Sequence, residues 1–478
     1  MKKSTNITRL LLLTAFVAIL AFPQHANSQS NLMYGSSRNP LMNSANPAFF
    51  PSHSKVYISL PNANINFTSP LSYNSIFQYD STQQKTYINA NSIIDTLTDG
   101  SALRFGTGIY PAGLGIDFGK FFLTLSAMAK VDMGMSMPSG LLTFLTEGNY
   151  GHTGDDVIEL LNGDLIGARV YGEGALGFGI RLLDNNLTIG ARAKLLVGYM
   201  DLSNSASSLT IRTAEDYSSM TADLNLDMNM TSCLDITKDT NSGTTSVKVR
   251  TVMPKNFGMN FDLGVRYTIG KFDLSASILD FGPGIHWTDG VKKIVSANEN
   301  NSFTFTGLDV SDAMQGGTMD STFTRMLIDS LKSLSEYKVI DGGEGYWTSI
   351  PTKVNLGGMF NVTDWFSAGL LFHGEFDRGV VKVGEVFKTK TTGFHSRTTL
   401  MARAGFKDWI EVVAAASVIS SKGDWSFFNP GVGITLTPFR TLQIYTFLDY
   451  ISNIYLVDAK QFNISFGLNL FFGKGSSK

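Results

Sequence analysis

The stretch that most constrains this chain is its last expected strand. Along Phe462-Asn463-Ile464-Ser465-Phe466-Gly467-Leu468-Asn469-Leu470-Phe471-Phe472, alternation puts Phe462, Ile464, Phe466, Leu468, Leu470 and Phe472 on one face. Asn463, Ser465, Gly467 and Asn469 fall on the other. Six large apolar residues on one face of a strand require a partner layer, and a bilayer supplies one, because lipid-facing and lumen-facing residues alternate along every strand of a transmembrane barrel. An edge strand of a soluble sandwich is the competing reading.

The same segment resembles the C-terminal signal read by the outer-membrane barrel assembly machinery. That signal is a polar residue (Ser465), a glycine two positions on (Gly467), then bulky apolar residues at alternate positions (Leu470, Phe472). The other end of the chain agrees. Lys2, Lys3 and Arg9 precede an apolar run from Leu10 to Phe22 broken only by Thr14, and Ala26-Asn27-Ser28 offers small residues for cleavage before Gln29. Residues 1–28 therefore read as a secretory signal peptide. The run falls short of the roughly 20 residues a membrane helix needs. No cysteine follows the cleavage site, which argues against a lipoprotein anchor.

Composition fits an outer-membrane barrel. Charged residues make up 16 %, against about a quarter in ordinary soluble domains, alongside 47 glycines and 12 % aromatics. Nowhere else is there an apolar run of helical spanning length. A formal charge of -2 argues against nucleic acid as a partner, and the lone Cys233 has no second cysteine to pair with.

Strands are counted from tight turns. Short polar links join alternating segments at Gly119-Lys120, Asp184-Asn185-Asn186, Gly270-Lys271, Val362-Thr363-Asp364, Lys407-Asp408 and Pro438-Phe439-Arg440. With both termini periplasmic, six such turns plus a first strand near Lys55–Phe67 and a last at Phe462–Phe472 give about 14 strands, with 12 or 16 left open. The expected fold is thus an all-β transmembrane antiparallel barrel over 55–473, with a short tail at 474–478. Long outer connections fall at 68–102, 136–165, 204–255 and 286–350. Phe323, Met326, Leu327, Leu331 and Leu334 recur at helical spacing in the last of these, and Pro138–Glu147 reads as a second short helix. Such helices either pack on neighbouring loops or offer a hydrophobic ligand site at Phe323, Met326, Leu327 and Leu331. Alternation across 223–230 predicts strands that continue above the membrane.

Splitting strands by face sends Arg192, Lys194, Asp262 and Arg266 inward, together with Arg169, Glu173, Arg181, Asp273, His373, Glu375, Arg403 and Glu411. A cation facing lipid at mid-bilayer costs about 2–4 kcal/mol, which fixes the register. Both signs of charge line the lumen, unlike the single-sign ring of an ion-selective pore. Bracing ion pairs in a filled barrel and a polar path beside an apolar pocket both remain open.

Asn39-Pro40-Leu41-Met42-Asn43-Ser44-Ala45-Asn46-Pro47-Ala48-Phe49-Phe50-Pro51, within the segment 29–54, has no strand alternation and cannot belong to the wall. Its Asn46-Pro47-Ala48 triplet, just before the first strand, resembles the long-chain fatty-acid transporter (FadL-type) superfamily. Members of that superfamily have 14 strands and an N-terminal hatch with a similar triplet. The chain is also similar to Bacteroidota relatives, including barrels that serve type IX secretion and paralogues without an assigned role. The resemblance rests on the whole-chain architecture, the triplet and the terminal strand, and the transporters' lumen residues find no matching motif here. It implies a hatch at Asn46, Pro47 and Ala48 and passive uptake of a hydrophobic small molecule. The alternative is a barrel that transports nothing and serves as a subunit or scaffold of a secretion or assembly complex.

Neither chemistry nor a cofactor is expected. His53, His152, His286, His373 and His395 are scattered without metal-ligand spacing, and no nucleophile elbow or phosphate loop occurs. His395 and Ser396 are adjacent on a strand and so face opposite ways. The expected partners are the bilayer, the assembly machinery during insertion, and a hydrophobic ligand or outer-membrane proteins.

Overall fold

The computed structural model describes residues 31–51, 53–69, 71–81, 84–88, 93, 102–136, 140, 144, 148–149, 151–162, 166–204, 207–238, 245–251, 253–297, 301–305, 336–383, 386–406, 409–421, 424–449 and 460–474. They form a closed antiparallel barrel of 14 strands. The first strand runs Ser54–Ser59 and resumes as Asn62–Thr68. Ala102–Asp117, Phe121–Ser136, Ile166–Leu182, Leu187–Asn204, Phe257–Ile269 and Phe272–Trp287 are the second to seventh. The eighth is Thr352–Asn361, with Tyr346–Thr348 as its outward continuation. Phe366–Val383, Val386–Phe406, Ile410–Ser421, Asp424–Phe439, Leu442–Asp449 and Gln461–Lys474 complete the wall. Closure comes from the fourteenth strand pairing with the first, Val56 opposite Phe472 and Ile65 opposite Ile464.

The short turns lie at one end of the barrel, where Leu183, Asp184 and Asn185 adopt positive φ between the fourth and fifth strands and Gly270 does so between the sixth and seventh. Residues 407 and 408 fall outside the described set, although Phe406 still pairs with Ile410 across that turn. Among the prolines of the wall, two mark breaks in the first and second strands, where a strand can tolerate them. Pro61 sits in the break of the first strand, and Pro111 in a bulge of the second between the pairs Ile109–Ala129 and Ala112–Ala127.

Lipid and lumen faces separate cleanly. Phe257, Met259, Phe261, Leu263, Val265, Tyr267 and Ile269 all point outward along one strand, while Asn260 and Asp262 between them are fully buried. Aromatic rings gather at the turn end of the outer surface. Phe118 stacks on Phe121, Phe272 lies 4.9 Å from Phe360, and Trp365 lies 6.0 Å from Phe406. Such a girdle marks the membrane–water boundary of a barrel.

At the other end the wall rises beyond the membrane. Asp227–Ser232, Val291–Ser296 and Tyr337–Asp341 extend the sheet from the top of the fifth strand. A separate sheet combines Ile158–Asn162, Ser208–Thr213, Met220–Asn225 and Ser302–Phe305. The signal-peptide segment 1–28, the helical pattern through Phe323, Met326, Leu327, Leu331 and Leu334, and most of 138–147 lie outside the described residues.

Depth should decide the cost of a charge on the outer face. Leu263→Arg, at the centre of its strand, is expected to cost about 2–4 kcal/mol, whereas Phe439→Arg, beside a turn, costs about 0–1 kcal/mol. Denaturant midpoints for refolding into lipid vesicles measure both.

Candidate functional site

A lumen ringed by 14 strands is wider than wall side chains alone fill, since closure at about eight strands already gives a fully packed interior. Here the N-terminal segment occupies it. Every residue from Asn31 to Phe50 is buried except Ser37 and Arg38, which are half-buried. Two short helices, Asn31–Gly35 and Met42–Ala45, compact the segment. Asn39 turns the chain by accepting the Leu41 N–H at 2.9 Å, and the second helix stops at extended Asn46, ahead of a proline that cannot continue it.

Side chains from across the wall grip this segment. Glu411 accepts the Ser36 hydroxyl at 2.5 Å and the Ser37 hydroxyl at 2.6 Å, and Asp449 accepts the Leu32 N–H at 3.1 Å. Tyr34 and Ser275 share a hydrogen bond of 2.7 Å. Ser277 and Asn355 both donate to the Ala45 carbonyl, at 2.8 and 2.9 Å. Arg192 donates to the Asn43 carbonyl at 3.1 Å.

Asn46, Pro47 and Ala48 meet the wall itself. The Asn46 amide donates to the carbonyls of Val265 and Ala276, on neighbouring strands, at 3.2 and 3.1 Å. Its own oxygen accepts the Ala48 N–H at 2.9 Å. The triplet lies this close because Gly190 and Gly264 stand opposite each other in the register beneath it. A Cβ on Gly190 would come within 2.1 Å of the Pro47 carbonyl oxygen, and one on Gly264 within 2.0 Å of the Asn46 side-chain oxygen.

Apolar contacts are concentrated on one flank. Leu32, Met33 and Leu41 pack on Tyr110, Met128, Val413, Tyr445 and Phe447, while Tyr34, Met42, Ala45 and Phe49 pack on Leu371 and Met401. Above the opposite flank the structure brings Arg192, Lys194 and Asp262 into one network with Lys130, Glu173 and Asp280. Lys194 lies 2.6 Å from Asp280 and 2.9 Å from Asp262, and Lys130 lies 2.9 Å from Glu173. Arg192 spans Glu173 and Asp262 at 3.7 Å each.

Arg266 stands apart, paired with Asp273 near the turn end and facing the Phe49 ring. His373 and Glu375 share the lumen but are 4.0 Å apart, too far for a hydrogen bond, and His373 instead bonds Asn355 at 2.6 Å. Ser465 is fully buried and accepts the Asn64 amide at 2.6 Å. Gly467 leaves room for Asn62, while Leu470 and Phe472 lie on the outward face. Phe323, Met326, Leu327 and Leu331 are outside the described residues.

A polar cavity of about 40 Å³ lies beside Lys130, Asp132, Arg169, Lys353 and Glu375, and one of about 20 Å³ lies beside Asn43, Tyr57, Tyr110 and Arg192. Strand alternation alone did not single out Ser36, Ser37, Asp449 or the Gly190–Gly264 pair. Glycines at lumen-facing positions of otherwise regular strands were the available signal.

Residues 47–449 match the profile described as a family of unknown function, DUF5723. Similar solved structures include a Pseudomonas aeruginosa FadL homologue, 10% identical with a TM-score of 0.42 over 94% of this chain and 99% of that one. The P. putida toluene transporter TodX is 9% identical with a TM-score of 0.41, covering 94% and 97%. The CymD monoaromatic hydrocarbon channel is 8% identical with a TM-score of 0.39, covering 95% and 98%. No curated protein matches the sequence.

Lys194 should be the costliest single charge to remove, because it leaves Asp262 and Asp280 buried together. Lys194→Met is expected to lose about 3–5 kcal/mol, seen as a lower temperature for the shift to unfolded migration on semi-native gels. Adding Asp280→Asn should restore part of the loss.

Proposed function

This chain belongs to the DUF5723 family, and we propose that it is a passive outer-membrane channel for a hydrophobic small molecule, closed at rest by residues 31–51. The observation that carries this reading is the apolar flank of the lumen. Leu371, Met401, Val413, Tyr445 and Phe447 face inward and are covered by the apolar side chains of that segment. Displacing the segment would uncover an apolar stripe beside a charged wall, a surface suited to a molecule that is largely hydrocarbon. Asn46, Pro47 and Ala48 act in this reading as the latch of a hatch, seated on two glycines. Phe323, Met326, Leu327 and Leu331 belong to the same proposal as a first contact site in the outer loop. Export rests on the signal peptide over 1–28, and insertion on Ser465, Gly467, Leu470 and Phe472 as the assembly signal.

One observation favours the runner-up, a filled barrel that serves as a scaffold in an outer-membrane secretion or assembly complex of the type IX kind. The lumen is braced by ion pairs of both signs. Uptake measurements separate the two. Cells producing the protein should accumulate a monoaromatic probe faster than cells without it, with no gain for a hydrophilic probe of equal size. Gly190→Val, which forces Pro47 off the wall, should raise the hydrophobic flux several-fold. No change in either strain, together with stoichiometric co-purification of another outer-membrane protein, would favour the scaffold.

The assembly signal has its own test. Phe472→Asp lies near the membrane boundary, where a charge costs only about 0–1 kcal/mol. It should insert poorly in cells yet refold almost normally into detergent, whereas Leu468→Asp, deeper on the same face, should impair both. Normal insertion of Phe472→Asp in cells would remove the signal from the proposal.

A further inference from the structure

The lipid-facing surface is not evenly covered by large side chains. Across the sixth to ninth strands a groove of about 500 Å³ opens outward, lined mainly by apolar groups and within the size range of ligand pockets. Its floor is Ala276 and Gly358. Ala276 pairs with Leu356, and Gly358 pairs with Leu274 and Leu370, so small and large residues form a checkerboard and the groove runs diagonally between the large ones. A Cβ on Gly358 would meet only the Leu274 side chain, at 3.4 Å, and the space outside it is open.

The groove sits at a defined height. One rung nearer the turns, Phe272 and Phe360 lie 4.9 Å apart in the aromatic girdle. Beyond them stands Lys271, exposed in the turn between the sixth and seventh strands. Its ammonium donates to the Val362 carbonyl at 3.1 Å, which draws it beneath the eighth strand and so beneath the groove. An ammonium has three hydrogens, and this bond uses one. Among the described residues Lys271 forms no ion pair, since the nearby Asp273 is held by Arg266 inside the lumen. An apolar groove, a pair of rings and an unmatched positive charge thus follow one another toward the turns, in the order of a lipid's tail, glycerol and phosphate.

We infer that this groove is a phospholipid site in the leaflet at the turn end. One acyl chain lies over Ala276 and Gly358, the glycerol crosses the Phe272 and Phe360 rings, and the phosphate meets Lys271. From Lys271 to Ala276 the strand rises roughly 17 Å at about 3.4 Å per residue, so a single lipid reaches both. The site lies back to back with the seat of the N-terminal segment, because Val265 and Ala276 line the groove and also give their carbonyls to Asn46. No part of the inference depends on whether the lumen conducts.

Native mass spectrometry in mild detergent tests it, with heat-modifiable migration verifying that each protein is folded. Delipidated wild type titrated with phosphatidylglycerol should take up a first lipid well before any other. A diacylglycerol with the same tails should bind about tenfold more weakly, the worth of one charge-assisted bond. Lys271→Gln should bind the two lipids equally. Gly358→Phe, which fills the groove from the lipid side, should weaken both at least about tenfold. Should that variant fail to fold, Gly358→Leu is expected to act in the same direction. If Gly358→Phe binds phosphatidylglycerol as well as wild type does, the groove is no lipid site. A preference for phosphatidylglycerol that survives Lys271→Gln would overturn the phosphate contact. A wild-type dimer that Gly358→Phe dissociates would assign the groove to a second copy of the chain instead.

Discussion

Hydrocarbon leaves a β-strand no way to satisfy its backbone except through neighbouring strands, so a sheet in a membrane must close on itself. In this protein the closing seam joins the first strand to the fourteenth, and the requirement extends from that seam to everything else. Once the ladder is closed, each strand has one face toward lipid and one toward the lumen, and a shift of one residue would exchange them. Leu263 and Asp262 are neighbours in sequence, yet one stands 60 % exposed on the outer surface and the other is completely buried. Every later feature, from the aromatic girdle to the charge network, is placed by that alternation.

Closure also creates the problem that the interior then solves. A ring of this size encloses more volume than its own inward side chains occupy, and a lumen lined by unpaired charges and bare apolar groups would be poorly solvated. Three materials fill it at different heights. Near the turn end, Phe49 and Phe50 of the N-terminal segment meet Arg266, Tyr57 and Phe122. At mid-height, Lys194 and Arg192 hold Glu173, Asp262 and Asp280 in one cluster. A buried carboxylate pair is tolerable only when cations lie among its members. Nearer the loops, Tyr171, Leu196, Trp287 and Ile350 form an apolar layer. The densest charge cluster therefore lies between layers richer in apolar and aromatic side chains.

The fold was legible because alternation is a local signal repeated many times. Turns such as Asp184-Asn185-Asn186 and Gly270-Lys271 announce themselves by composition, and the strands between them read face by face. The lumen was legible only in part. Which side chains point inward follows from period two, but which of them meet depends on curvature and on strands far apart in sequence. Arg169 lies four strands from Ser349, and Glu411 lies hundreds of residues from Ser36. Nothing in either neighbourhood marks the partner. The glycines under Asn46 and Pro47 look like any others until the chain that crosses them is in place.

In the channel reading, the composition of residues 31–51 bears on how the segment could leave the lumen. Arg38 is its one charged residue, and it holds the wall through serine hydroxyls, asparagine amides and backbone groups. Between neutral groups such bonds exchange for bonds to water at a net cost of only about 0.5–1.5 kcal/mol each, rising to about 1.5–3 kcal/mol where the partner is charged, as at Glu411. The carboxylates of Glu411 and Asp449 would be solvated in turn if water replaced the segment. The apolar contacts differ, because water cannot substitute for them and exposing a buried leucine or methionine costs about 1.5–3 kcal/mol. Polar bonds therefore set where the segment sits, while Leu32, Met33, Leu41 and Met42 set how hard it is to remove. Under the channel reading, the occupant best able to offset that removal is one that covers Leu371, Met401, Val413 and Phe447 with hydrocarbon of its own. In that reading, a closure built this way would yield to a hydrophobic solute far more readily than to water.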